Sequence, residues 1–293
     1  MSRPGVRRPL AFAAIALTVF FGVYALAIGT EVGQEADDAA LTGSRAAPDG
    51  AQSAADNLLR IVSVGSLIAA IAVLSGLAWL RRRPELLLVP AAVIGLSLLA
   101  TEAFKLVIFE RPDLIIEAKF PDNTYPSGHG TVAISIGLAA IIVAPPRLRG
   151  SVGLAAALLA AAGGVFVVTA DWHRPSDPIG SFALTLAVTL FVVAALRIWR
   201  PAAEAVNPPA GDEQRPHAAR IEITTLLVGA ALFVGSGVIA SLRYGAEVDW
   251  NRFHAAFLLA SLVIVAAAGL TVGALLRALA PAPASSRPGD DLG

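Results

Sequence analysis

The chain has no cysteine, which excludes disulfides, thiolate nucleophiles and Cys-ligated metals. Charge is scarce as well. Only 15% of residues are Asp, Glu, Lys or Arg, and 22 basic residues balance 22 acidic ones, so there is no basic excess to attract nucleic acid. Histidine occurs four times and methionine once. No HExxH, P-loop or dinucleotide fingerprint is present, so zinc-protease chemistry, NTP-driven transport and hydride transfer lack their recurring motifs. No metal and no cofactor is expected.

Apolar residues are abundant: 56% of 293 positions, with a mean hydropathy of +0.70. That is too apolar for an ordinary soluble domain. A bilayer core of roughly 30 Å needs about 20 apolar residues per helix. Eight segments qualify, near 9–29, 61–80, 86–108, 129–146, 151–170, 178–199, 221–242 and 255–279. The expected fold is an all-α integral membrane protein. A six-helix unit fills 1–200, a cytoplasmic linker 201–219 and a transmembrane hairpin 220–279, followed by a disordered tail at 280–293.

Orientation follows from arginine. Arg7, Arg8, Arg81, Arg147, Arg197 and Arg277 fall on one side of these segments, and the positive-inside rule makes that side cytoplasmic. Both termini are then inside, and the membrane is expected to be the plasma membrane. Residues 1–27 also fit a cleavable signal peptide, with the same orientation downstream. The acidic stretch 30–57 reads as a mobile outer loop.

Three ionisable clusters meet on the outer side. Lys105 and Arg111 end the third segment, His129 opens the fourth, and DWHRPSDP (171–178) joins the fifth to the sixth. Charge near membrane depth is costly unless paired or hydrated. A lone Lys105 or Arg111 reads as an anchor snorkelling to headgroups. Their coincidence with both histidine motifs points to a site.

KLVIFERP, YPSGHG and HRPSD, in that order, resemble the three signature motifs of the type-2 phosphatidic acid phosphatase superfamily, which also includes the vanadium haloperoxidases. The resemblance covers about residues 1–200. It implies a six-helix membrane phosphatase acting on a lipid phosphate. The family pattern is Lys, six residues, Arg-Pro; then Pro-Ser-Gly-His; then Ser-Arg, five residues, His, three residues, Asp. Pro126 to His129 and the His173 to Asp177 interval match. Two features depart. Five residues separate Lys105 from Arg111, which turns the lysine by about 100° on a helix. Phe166 and Val167 stand where the Ser-Arg pair belongs, and Arg174 is the nearest substitute cation, unless it merely faces headgroups.

Phosphoryl chemistry gives these residues roles. His173 can attack phosphorus once a carboxylate, Asp177, holds its other ring nitrogen. His129 can donate a proton to the leaving oxygen. Ser127, Gly128 and the backbone N–H groups opening the fourth helix suit an anion, and Lys105, Arg111 and Arg174 supply charge. The expected partners are the bilayer and a lipid phosphate or diphosphate, with polyprenyl and glycerolipid substrates equally compatible. Two other readings are a phosphotransferase using the same site and an inactive lipid-binding or transport protein. Glu102 reads as an ion-pair partner for Lys105. Asp171, Trp172 and Tyr125 read as interfacial residues at the pocket mouth, His254 as interfacial, and His217 as part of the linker.

Overall fold

In lipid every backbone N–H needs an acceptor within the protein, so long runs of Ala, Leu, Val and Ile fold as helices. A computed structural model describes residues 4–45, 47, 49–115, 122–199 and 252–280, and among them there are helices and no strands. In chain order these are α1 (Pro4–Val23), α2 (Glu31–Ser44), α3 (Asp49–Leu59), α4 (Val64–Leu80), α5 (Val89–Ala103), α6 (Gly128–Val143), α7 (Arg149–Thr169), α8 (Ser176–Trp199) and α9 (Arg252–Leu279). Wide π-turns extend α1 over Tyr24–Ile28 and α5 over Phe104–Ile108.

Among the described residues five helices are long and apolar enough to cross a membrane, or six if α3 and α4, bent by 63° at their junction, form one broken span. α6 is apolar but shorter, at 16 residues. The expected span 221–242, the linker 201–219 and the tail beyond 280 lie outside the described residues. Multi-pass membrane architecture therefore stands.

α1 lies along α8, α6 lies between α5, α7 and α8, and α9 packs on α2, α7 and α8. The shared core includes Leu138, Ala157, Val167, Phe182, Leu190 and Ile264, each fully buried. Small residues set the helix spacing, as is common in membranes. A Cβ on Gly137 would stand 2.7 Å from that of Ala156 on α7.

The expected loop at 30–57 is instead largely helical. α2 buries Gln34, Asp37, Ala40, Leu41 and Ser44, spaced to share one helical face, and packs that region against the bundle. Its stripe is polar enough to read as solvent-exposed sequence. Thr30 caps it, its hydroxyl accepting from Gly33 N at 3.0 Å.

Candidate active site

The loop after α7 is folded back by its own backbone. The Val167 carbonyl accepts from Trp172 N at 3.0 Å and His173 N at 3.1 Å. Asp171 turns the chain with φ 63°, a left-handed conformation that Asp tolerates better than most residues. α8 then starts at Ser176, so His173 and Asp177 come onto one face, with Nδ1 to Oδ2 at 3.0 Å. The same Oδ2 accepts from Thr124 Oγ1 at 2.7 Å and Arg174 N at 3.1 Å, and Asp177 is 1% exposed. An ionised carboxylate only accepts, so the neutral tautomer this contact favours has its hydrogen on Nδ1 and its lone pair on Nε2.

The PSGH segment is bonded to this loop. Ser127 N donates to Asp177 O at 3.1 Å, and Ser181 Oγ donates to Ser127 O at 2.7 Å. Ser127 also caps α6, its buried hydroxyl accepting from Gly130 N at 3.2 Å. That hydroxyl retains one hydrogen to donate. His129, in the first turn of α6, is half-buried with its ring centroid 5.1 Å from that of Trp172, edge to face. Lys105 is a positive charge in its surroundings.

The cations converge from two directions. Lys105 Nζ pairs with Glu102 Oε1 at 2.9 Å, as expected for that pair. It also reaches α6 despite the short interval to Arg111: a Cβ on Gly128 would be 3.8 Å from Nζ and 3.6 Å from Glu102 Oε1. The π-turn that carries Lys105 and its four-carbon stem absorb the missing residue. Arg111 has a buried Nη2 with no hydrogen-bond partner among the described residues. Burial, then the positive charge of Arg174, pushes its pKa below the ordinary value, against the pull of Asp38, Asp37 and Asp177.

Arg174 does not snorkel. It is 1% exposed, and its Nε donates to Asp38 Oδ1 at 2.5 Å. Val167, at the position of the family arginine, is buried in the core and offers the site only its carbonyl.

Asp37 and Asp38, on the helix that reads as a loop, are the residues that sequence reasoning missed. Asp37 accepts from Ser176 N at 3.1 Å and from Ser176 Oγ, and burial pushes its pKa up to about 7. Gln34 Nε2 donates to Ile28 O at 2.8 Å and to Pro112 O at 2.7 Å, fixing α2 to the Arg111 segment as well. The available signal was the Gln34, Asp37, Leu41, Ser44 spacing. Tyr125 also differs from expectation. It is fully buried and its hydroxyl donates to Phe20 O at 2.7 Å, because Phe20, Tyr24, Phe104 and Phe109 enclose its ring in an aromatic cluster. Asp171 pairs with Arg45 at 3.5 Å, and His217 lies outside the described residues. Among those residues no group of three or more His, Asp or Glu is placed to hold a metal ion.

A family model for the PAP2 superfamily matches residues 86–201. This segment is similar to the PAP2 superfamily. It contains Lys105, Arg111, Ser127, His129, His173, Arg174 and Asp177, whereas α1, α2 and α9 lie outside it. Comparisons with curated proteins and with solved structures give no match. The PAP2 similarity and the apolar helices together support a membrane phosphatase in the broad sense.

Proposed function

We propose that the protein hydrolyses a lipid-linked phosphate monoester or diphosphate through a phosphohistidine, at the outer face of the plasma membrane. The observation that carries this reading is the His173–Asp177 pair, 3.0 Å apart, beside His129 at the amino end of α6. Nε2 of His173 attacks phosphorus while the bond from phosphorus to the leaving oxygen breaks, and His129 gives that oxygen its proton. Water then attacks the phosphohistidine, His129 takes a proton from it, and the P–N bond breaks to release phosphate. Lys105, Arg111, Arg174, Ser127 and the N–H groups after Gly128 hold the phosphoryl oxygens. The lipid tail stays in the bilayer. The arginine-rich opposite end, by the positive-inside rule, supports the outward orientation.

The test is inorganic phosphate release by purified protein from a panel of lipid phosphates and diphosphates, with and without EDTA. Wild type should release phosphate equally in both conditions, and His173→Ala should abolish release while remaining folded. Near wild-type release by His173→Ala would remove the claim. Arg174→Ala should lower kcat/KM by about 10²-fold, the usual cost of one lost charge-stabilising contact.

Val167 in place of the family arginine favours a second reading, a lipid-binding protein without catalysis. Saturable binding of lipid phosphate by wild type, with neither phosphate release nor transfer to an added alcohol, would decide for it. Transfer without release would make the protein a phosphotransferase.

A further inference from the structure

The end of the bundle away from the histidines gathers arginine. Arg149, at the start of α7, is only 7% exposed, and its Nε is buried without a hydrogen-bond partner among the described residues. The charges acting on it are those of Arg81, Arg83 and Arg197, all positive. Glu85 lies nearby and pairs with Arg83. A buried guanidinium among like charges is costly unless an anion joins it.

Beside this cluster a groove of about 790 Å³ lies among α4, α6 and α7. Leu74, Leu77, Ala140 and Val152 give it an apolar lining, and Arg81 and Arg147 stand in its wall. Arg81 Nη1 donates to the Val143 carbonyl at the end of α6, which holds the guanidinium at the groove. Apolar wall and cationic rim call for a ligand with both characters. A free phosphate would meet the arginines and leave the apolar lining uncovered. A zwitterionic lipid would cover the lining and bring no net negative charge.

We propose that this groove binds an anionic phospholipid of the adjacent leaflet, with an acyl chain against Leu74 and Leu77 and its phosphate between Arg81 and Arg147. Arg149, two residues after Arg147 and within the field of Arg81, adds to the positive potential. Basic pockets between membrane helices recognise lipid headgroups in this way. The site is at the opposite end from His129 and His173 and does not depend on the phosphatase reading.

The test uses the full chain, delipidated in detergent and titrated with phosphatidylglycerol or with phosphatidylcholine of the same acyl chains, bound lipid being counted by native mass spectrometry. Phosphatidylglycerol is a diester, so it is not the monoester or diphosphate proposed for the histidine site. Wild type should retain it at least tenfold more tightly than phosphatidylcholine, and the Arg81→Gln/Arg147→Gln double variant should lose that preference. Arg82→Gln, an exposed neighbour that does not line the groove, should keep it. Leu77→Trp, which fills the groove and leaves every arginine in place, should also prevent retention, so the test survives if the double variant misfolds. Equal retention of the two lipids, or undiminished retention by Leu77→Trp, would overturn the proposal. So would stabilisation by millimolar inorganic phosphate equal to that by phosphatidylglycerol, or a loss in Arg82→Gln as large as in the double variant.

Discussion

At the scale of single residues, Gly180 leaves no room for a side chain. A Cβ there would stand 2.2 Å from ring carbons of Tyr125, which immediately precedes Pro126 and Ser127. Gly180→Ala must therefore displace the ring or α8, and is expected to strain the Tyr125 bond to Phe20 O and the segment that presents His129. Overpacking of this kind costs about 1–3 kcal/mol. Thermal melting should show that loss and phosphate release should fall with it. Gly76→Ala on α4 is the control, because a Cβ there meets nothing within 4 Å. If the two variants melt and turn over alike, the Tyr125 slot has no bearing on the site.

At the scale of elements, α2 is the unexpected one, and its docking should depend on pH. Buried Asp37 faces Ser176, Asp177 and Arg174, and its charge reaches Arg111. Its pKa is raised from 3.8 to about 7. A raised carboxyl means that the folded state binds the extra proton between those values. The associated stability is fully present below pH 3.8 and is lost as pH rises through about 7. Amide hydrogen exchange over residues 31–44, corrected for intrinsic rates, should show protection falling as pH rises from 3.8 to about 7 and levelling above it. Asp37→Asn should flatten that dependence, and an unchanged slope in the variant would assign it to another group.

The same element shows where the sequence stops being legible. The spans containing α1, α5, α7 and α8 follow from hydropathy, since apolar length is a local property. The His173–Asp177 pair follows from one helical turn for the same reason. Asp37 meets Ser176 across 139 residues and Asp38 meets Arg174 across 136, and such pairings leave no periodic trace. Gln34, Asp37 and Ser44 make a buried stripe out of polar residues, so a reading that equates burial with hydrophobicity passes over it. Nor does anything in KLVIFERP announce the π-turn at Phe104–Ile108 that carries Lys105.

At the scale of the whole molecule, the bundle has a histidine end and an arginine end, and a chain without cysteine makes them easy to label. Asp122 is exposed near the first and Arg82 near the second. In intact cells a membrane-impermeant maleimide should label Asp122→Cys directly and Arg82→Cys only after permeabilisation. The reverse pattern would turn the site towards the cytoplasm.

The bond from Tyr125 to Phe20 also bears on how the molecule is made. Donor and acceptor are 105 residues apart, and at about 5–20 residues per second the acceptor is synthesised some 5–20 s before its partner. α1 precedes its partner by that interval, and the His173–Asp177 pair is completed later still. The contact that fixes α1 to the PSGH segment is thus made only after α2, α3, α4 and α5 have been synthesised.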